Sequence, residues 1–448
     1  MNRQPHAPQL ATRAAYVLRG NSTGHITRAA PDLYPHQWSW DAGFVAVGLA
    51  HVDVRRACLE LDTLFAGQWR TGMLPHIVFD PAEDEYFPGP DRWACPDHSD
   101  DAPRSPLTSG ICQPPVHALA VERIAEVATH RGSDADEHVE SWLPSAYARL
   151  LPWHRYLARH RDPAEAGLLT IYHGWESGMD NSPRWDAAYR NVKVGEDLPP
   201  YRRRDTTIVA DPSQRPTQLE YDRYLWIVEE LKRAGYDDDQ VRDSTSFLTT
   251  DVFMSAVFAA ANDALARLAR RLRRPEAEEL ETYAKRFRHG VAATVDGSAL
   301  ALDTDLRTGL PIAVETLAGF APLLCGGLSD TDEQQMIRLL TSSRWTGHRA
   351  LRHPVLPTTS PSSPDFQPRA YWRGPSWPVM NWFFAWMLDR RGFTECADQL
   401  RHATLNQLAD GTLAEYYEPL TGEPLGSHDQ SWTAAAALDL LLAPGWLE

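Results

Sequence analysis

Cysteines and unbroken apolar stretches are scarce in this chain of 448 residues. The five cysteines are scattered and odd in number, which fits free thiols in a reducing compartment better than a disulfide framework. Residues 1–10 lack the apolar core of a signal peptide, and no run of about 18 apolar residues indicates a membrane span. We therefore expect a soluble, cytoplasmic protein.

Basic residues are also fewer than acidic residues. The chain has 44 Lys and Arg residues against 60 Asp and Glu residues, which gives a net charge of −16. Nucleic acids and anionic membranes bind through basic patches, so neither is expected as a partner, whereas a homo-oligomer stays open. The sequence has no HExxH motif, no phosphate-binding loop and no dinucleotide fingerprint, so we expect no metal and no cofactor.

Sustained β-strand alternation is absent as well, whereas apolar residues recur at helical spacing through most of the chain. Residues 252–261 and 379–388 are apolar on nearly every side, which indicates buried inner helices, and the Arg- and Glu-rich region 263–289 indicates an outer one. This pattern predicts an all-α toroid of paired helices in one large domain, residues 1–448. The predicted helices are 8–19, 41–50, 54–65, 114–130, 138–160, 217–235, 247–272, 274–292, 314–326, 330–341, 377–390, 393–409 and 430–443.

Two long segments interrupt the helical pattern, at about 71–110 and 191–220. Loops of this length inside a compact domain are usually functional or disordered. The first is rich in aromatic residues and the second in arginines, so we expect both to cap the mouth of the toroid. Segment 191–220 is the candidate for a lid that closes over a substrate.

The stretch 174–186, GWESGMDNSPRWD, combines three carboxylates with two indoles, and its central glycine and proline break any regular helix. Such a loop suits the cleavage of a sugar. Carboxyl groups supply a proton and activate a water molecule, while indole rings cover the apolar face of a pyranose and raise carboxyl pKa values by excluding solvent. From these residues alone, Glu176, Asp180 and Asp186 all stay open as the proton donor, and a turn-capping role is the alternative for Asp180.

This stretch resembles the general-acid loop of glycoside hydrolase family 63, and it is most similar to the bacterial hydrolases of glucosylglycerate and mannosylglycerate in that family. The resemblance spans most of the chain and implies an (α/α)6 barrel and an inverting mechanism. Three further segments agree in order: 34–41 (YPHQWSWD), 371–378 (YWRGPSWP), and 415–422 (EYYEPLTG) running on to 430–433 (QSWT).

The resemblance implies that Asp180 is the general acid and Glu415 the general base. An inverting enzyme needs the two carboxyl groups roughly 6.5–9.5 Å apart, to leave room for a water molecule. Glu176 and Asp186 are then expected to be structural partners of Arg184 and of backbone amides. Near the base, the competing acidic residues are Glu418, Glu423 and Asp429.

The aromatic segments supply the candidates for binding the sugar, with core packing as the alternative for each tryptophan. Gln113 and His76 are further candidates. Paired hydroxyl groups suit Asp41 and Gln430, and ring faces suit the indoles. The full set from the four segments is Tyr34, Trp38, Trp40, Asp41, Trp175, Tyr371, Trp372, Trp377 and Gln430.

If the substrate is a glycosylglycerate, its carboxylate requires a guanidinium, which can bind both oxygens at once. Arg215 in segment 191–220, together with Tyr221 and Tyr86, is the candidate clamp. The alternative is that Arg215 only pairs with acidic residues on the surface. These are Asp205, Asp211 and Asp222.

The sequence therefore predicts an inverting α-glycosidase for a small glycoside with an anionic aglycone, glucosylglycerate first and mannosylglycerate second. One alternative is an α-glucosidase that acts on neutral di- or oligosaccharides. Others are a phosphorylase and a non-catalytic carbohydrate-binding protein on the same toroid.

Overall fold

The architecture is an all-α barrel of paired helices, seen in a computed structural model that describes residues 7–31, 33–203, 205–208 and 211–443. In this part of the chain twelve helices build the barrel. They are numbered α1 to α12 in chain order: Ala7–Gly20, Ser39–Ala50, Val54–Ala66, His117–Arg131, Ser133–His160, Val252–Arg271, Ala277–Ala293, Pro322–Cys325, Asp330–Leu340, Pro378–Arg390, Thr394–Gln407 and Ser431–Leu442.

The even-numbered helices form the inner ring. Each packs on the next, and α12 closes the ring against α2. Every odd-numbered helix packs outside an inner one, as α3 does on α2, α7 on α6 and α11 on α10. This alternation is that of an (α/α)6 barrel, and the prediction of that fold is confirmed.

Burial follows the apolar pattern of the sequence. All twelve residues of α2 are buried, whereas α3 buries one stripe, and Asp53 caps its N-terminus by accepting from two backbone amides. The predicted inner helices at 252–261 and 379–388 are confirmed as parts of α6 and α10. Among the described residues, α6 alone is long and apolar enough to cross a membrane by length and composition, and 89% of its most apolar window is buried inside the barrel.

Several predicted helix boundaries are wrong. The continuous helix over 314–326 is instead a 3-10 turn, Leu317–Phe320, followed by the single-turn helix α8, because Pro322 lacks the backbone N–H that a continuing helix needs. Helix α5 begins at Ser133, five residues earlier than predicted. The other helices of the described chain lie outside the ring: Pro90–Trp93, Cys95–His98, Asp186–Asn191, Asp205–Ile208, Gln218–Arg233 and Asp238–Ser244, with 3-10 turns at Gly174–Ser177, Pro183–Trp185 and Pro212–Gln214.

Short strands join the loops of the described chain. The strands β1 to β8 are Gln37–Trp38, Ile77–Val78, Leu169–Ile171, Thr249–Asp251, Asp303–Asp305, Leu310–Ile312, Tyr416–Tyr417 and Pro424–Leu425. They form the antiparallel pairs β1–β2 and β7–β8 and a four-stranded antiparallel sheet in the order β3-β4-β5-β6. In register, Trp38 faces Ile77, Leu169 faces Asp251, and Tyr416 faces Leu425.

The two long segments lie where the sequence predicts a cap. Segment 71–110 contributes residues such as Tyr86, and segment 191–220 contributes residues such as Arg215, to the walls of one cavity. Residues 204, 209 and 210 of the second segment lie outside the described residues, and closure of this segment as a lid stays a prediction.

Gly48 lies where the backbone of α2 crosses α12, and a Cβ atom there would fall 2.4 Å from Cα of Ala435. We expect Gly48→Ala to lower the free energy of unfolding by about 1–3 kcal/mol, because neither inner helix can shift without opening the ring. Chemical denaturation followed by circular dichroism measures this. Gly297→Ala is the control, since no atom lies within 4 Å of a Cβ atom there. An equal loss in the control would contradict the explanation.

Candidate active site

A cavity of about 260 Å³ lies between the capping segments and the end of the inner ring. It has the form of a small-molecule pocket and not of an open groove for a polymer. Fifteen of the sixteen predicted site residues line it: Tyr34, Trp38, Trp40, Asp41, His76, Tyr86, Gln113, Trp175, Asp180, Arg215, Tyr221, Tyr371, Trp372, Glu415 and Gln430.

Asp180 reaches the cavity on a tight turn. The 3-10 turn Gly174–Ser177 ends at Gly178, whose φ of +71° is in the left-handed region, and a Cβ atom at Gly178 would fall 2.5 Å from the Trp40 ring. Burial raises the pKa of Asp180 well above its ordinary value. The positive charge of Arg215 works to lower this pKa, and the negative charge of Glu415 works to raise it. The direction of this shift favours the protonated form, which suits Asp180 to donate a proton.

Asp41 is a second acidic group in the same cavity. Burial raises the pKa of Asp41 to about 8, and the charge of Glu415 adds to the increase. A carboxyl group that keeps its proton can donate a hydrogen bond as well as accept one, which suits a sugar hydroxyl group.

Glu415 lies directly before β7, and its carboxyl group is held in place by three neighbours. The Tyr34 hydroxyl group donates to its Oε1 at 2.9 Å, and the backbone amide of Ser427 donates to its Oε2 at 2.9 Å. The guanidinium group of Arg215 lies 3.6 Å from the same Oε2. A carboxyl group that is anchored in this way is suited to the role of the predicted general base.

Arg215 is buried, with 8% of its surface exposed, so the alternative of surface pairing is wrong. Its Nη1 donates to the Tyr34 hydroxyl group at 3.1 Å, and its guanidinium group lies over the Tyr371 ring, 4.6 Å from the centroid. Its Nε and Nη2 atoms have no hydrogen-bond partner. Buried and unpaired donors of a charged group are costly, which indicates that a ligand is meant to occupy them.

Glu176 supports the loop and is not a rival acid. Arg161 binds both of its oxygens, at 2.8 and 2.9 Å, and the backbone amides of Tyr172 and Cys112 donate to it at 2.7 and 3.1 Å. Although burial works in the other direction, Arg161 and these hydrogen bonds hold the pKa of Glu176 below its ordinary value. The carboxylate stays ionised and anchors the turn that precedes Asp180.

The predicted partnership of Glu176 and Asp186 with Arg184 is wrong, although both do bind other groups. Asp186 makes a bidentate pair with Arg373, at 2.7 and 2.8 Å, which joins the acid loop to segment 371–378. Arg184 instead binds Asp303 in β5, at 2.7 Å. The nearness of Asp186 and Arg184 in sequence was misleading, since each side chain reaches a different part of the fold.

Trp377 is the one predicted site residue that does not line the cavity. Its ring stacks behind that of Trp372, with centroids 3.7 Å apart, so it supports the wall and does not form it. Trp432 was missed: it lines the cavity, packs edge-on against Trp40 at 5.4 Å, and has an unpaired Nε1. The resemblance contained a signal for it, because Trp432 lies within the matching segment 430–433.

Further lining residues come from the cap and its supporting helix. Tyr224 lies one helical turn after Tyr221 on Gln218–Arg233, a spacing that predicts the same face. Arg28 lines the cavity and pairs with Glu83. Within the described ranges, no three His, Cys, Asp or Glu side chains form a group that could hold a metal ion.

Two carboxyl groups that face one small aromatic cavity are the arrangement expected of an acid–base glycoside hydrolase. Comparison with known proteins gives the same class. Residues 34–433 match the family described as "Mannosylglycerate hydrolase MGH1-like glycoside hydrolase domain", and the chain belongs to that family. The resemblance inferred from the four segments is thereby confirmed.

Characterised relatives cover nearly the whole chain. It is 54% identical to the glucosylglycerate hydrolase of Mycolicibacterium hassiacum, over 98% of this chain and 100% of that protein. It is 41% identical to the mannosylglycerate hydrolase of Thermus thermophilus, over 95% and 99%. The crystal structure of a GH63 mannosylglycerate hydrolase from Thermus thermophilus, in complex with Tris and D-glycerate, matches with a TM-score of 0.85 at 40% identity, covering 96% of this chain and 99% of that one.

Gly426 packs against the base, and a Cβ atom there would fall 2.5 Å from Oε2 of Glu415. We expect Gly426→Ala to lower kcat by about tenfold or more, because displacement of the carboxylate disturbs the attacking water molecule. Steady-state hydrolysis of a glycoside that the wild type cleaves measures this.

Gly422→Ala is the matched control for Gly426→Ala. Both glycines have positive φ angles, +82° and +72°, so both variants carry the same kind of backbone strain. The nearest atom to a Cβ at Gly422 is Cγ of Arg352, 3.2 Å away, and Glu415 is not among the close neighbours. An equal fall of kcat in both variants would show that strain, and not contact with the base, is responsible.

Proposed function

We propose that this protein hydrolyses glucosylglycerate to glucose and glycerate, with mannosylglycerate as a second substrate, and that it inverts the anomeric configuration. The observation that carries the proposal is one cavity that is lined by three groups: Asp180 with a raised pKa, an anchored Glu415, and a buried Arg215 with two nitrogen atoms that lack hydrogen-bond partners. The identity of 54% to a glucosylglycerate hydrolase, against 41% to a mannosylglycerate hydrolase, supports glucosylglycerate as the first choice.

The reaction needs only the groups described. Asp180 donates its proton to the glycosidic oxygen as the bond to the anomeric carbon breaks. Glu415 takes a proton from a water molecule on the opposite face of the ring, and the water oxygen bonds to the anomeric carbon. An α-glycoside thus releases the β-sugar. Trp40, Trp372 and Trp432 give the sugar an apolar, water-poor wall.

The glycerate half of the substrate is assigned to Arg215, Tyr86 and Tyr221. Side-on binding of a carboxylate uses Nε and Nη2 of an arginine together, and these are the two nitrogen atoms of Arg215 that lack partners. Tyr86 lines the same cavity as Asp180 and Arg215, so its hydroxyl group is a candidate for contact with the aglycone near the departing oxygen. A neutral disaccharide would bring no carboxylate to accept hydrogen bonds from Nε and Nη2, so the anionic substrate is favoured over the neutral one.

We also propose that the reaction takes place in the cytoplasm without a macromolecular partner. All five cysteines are free and buried, which supports a reducing compartment. The net charge of −16 opposes binding to nucleic acid or to anionic lipid. Self-association is compatible with this function, and sedimentation of the purified protein would measure it.

Replacement of Asp180 by Asn tests the proposed chemistry. We expect kcat with glucosylglycerate to fall by about a thousandfold or more, since the amide cannot supply the proton, while KM changes little. Proton NMR of early time points should show β-glucose before mutarotation in the wild type. Unchanged turnover in Asp180→Asn, or α-glucose as the first product, would contradict the proposal.

The pH dependence follows from the same assignment. The raised pKa of Asp180 extends the protonated form of the acid to higher pH than for an ordinary aspartate, and activity falls as the pH rises through that pKa. The alkaline limb of kcat with glucosylglycerate should therefore lie far above the ordinary range of an aspartate. A profile that already declines between pH 4 and about 5 on its alkaline side would contradict a protonated Asp180.

A further inference from the structure

The position of Arg215 connects two parts of the site, the aglycone contact and the base. Its Nη2 lies 3.6 Å from Oε2 of Glu415. Its Nη1 donates to the Tyr34 hydroxyl group at 3.1 Å, and that hydroxyl group donates to Oε1 of Glu415 at 2.9 Å. Arg215 thus acts on both oxygens of the base, on one directly and on the other through Tyr34.

The guanidinium group of Arg215 is held in place, but two of its nitrogen atoms have no hydrogen bond. Tyr371 lies beneath it, and the Tyr371 and Tyr34 hydroxyl groups are 3.3 Å apart, so the cation cannot swing away from Glu415 without breaking these contacts. The nitrogen nearest Glu415, Nη2, is one of the two without a hydrogen bond. A carboxylate bound side-on to Nε and Nη2 therefore occupies the nitrogen atom that now lies closest to the base.

A carboxylate beside an arginine is a weaker proton acceptor than the same carboxylate without that charge, because the cation stabilises the ionised form. In the ligand-free site the charge of Arg215 acts on Glu415. In the occupied site a second anion shares that charge. Since Arg215 and Glu415 are both buried, the change in the field at Glu415 is larger than it would be in solvent.

We propose that the carboxylate of the substrate activates the catalytic base through Arg215: by binding Nε and Nη2 it draws the guanidinium charge away from Glu415, which then accepts the proton of the attacking water more readily. The inference rests on the proposed function and deepens it. Arg215 is a positioning and charge-relay residue, so the anionic aglycone raises kcat and does not merely lower KM.

Two other features of the site favour activation of the base by the substrate carboxylate. Arg215 also opposes the raised pKa of Asp180, so an anion on Arg215 helps the acid to keep its proton. The other arginine among the described lining residues is Arg28, which already pairs with Glu83. One cation thus serves both catalytic carboxyl groups, and its partner is supplied by the substrate.

The test compares glucosylglycerate with glucosylglycerol, which keeps the sugar and the carbon skeleton but lacks the negative charge. In the wild type we expect kcat with glucosylglycerol to be lower by about tenfold or more, and in Arg215→Met we expect the two kcat values to agree within about twofold. Tyr34→Phe, which removes the link to Oε1, should give an intermediate ratio. Arg28→Met is the matched control for the loss of one positive charge at the cavity, and its ratio of kcat values should equal that of the wild type.

Circular dichroism melting curves establish whether each variant is folded. If Arg215→Met does not fold, the ratio of the two kcat values in the wild type and in Tyr34→Phe tests the inference.

Equal kcat values for the two substrates in the wild type, with only KM raised for glucosylglycerol, would overturn the inference and leave the proposed function standing. If glucosylglycerol is not turned over, its inhibition of glucosylglycerate hydrolysis is measured. Tight inhibition without turnover supports the inference, whereas failure to inhibit overturns it. Failure of the wild type to cleave glucosylglycerate at all would instead remove the proposed function.

Discussion

The exclusion of water from a few acids around one guanidinium group is the constraint on which this site depends. Asp180 and Glu415 are carboxyl groups with the same chemistry in water, and their surroundings make them opposite partners. Burial holds the proton on Asp180, whereas Glu415 receives hydrogen bonds from Tyr34 and Ser427 and lies beside Arg215. Solvent access would weaken both effects, because water would solvate the charged form of either group and screen the cation. The aromatic wall and the capping segments therefore matter to the chemistry as much as to the shape of the cavity.

Ionic contacts outside the cavity support this arrangement. Arg161 and Glu176 form a pair that is almost completely inaccessible, and backbone amides donate to the same carboxylate. Removing one member of this buried pair leaves a charge without compensation, which is far more costly than losing the contact itself. The more exposed pair of Arg373 and Asp186 ties the same loop to the third aromatic segment. Loops that carry catalytic residues usually are the mobile part of a barrel, and here ion pairs and a small sheet give the acid loop the fixed geometry that catalysis requires.

The sequence predicted the structure well where an apolar pattern extends over many residues. Helices such as α6 and α10 show their apolar pattern over many residues, and their inner position could be predicted. The strands could not, because none in the described chain exceeds three residues, too few to show alternation. The two catalytic carboxyl groups were assigned through the family resemblance, since the residues of the loop left three acids open. The predictions for Trp377 and Arg184 were wrong for the same reason. Proximity in sequence does not reveal whether a side chain faces the cavity or the layer behind it.

The closure of the ring by α12 against α2 brings together the two ends of the chain. Glu415 lies just before that last helix, while the aromatic segment around Trp40 opens the first inner one. The cavity is therefore incomplete until the segment around Glu415 and the helix that follows it have joined the aromatic segment around Trp40. These contacts are long-range in sequence, and contacts of that kind form slowly, after the local helical hairpins are in place.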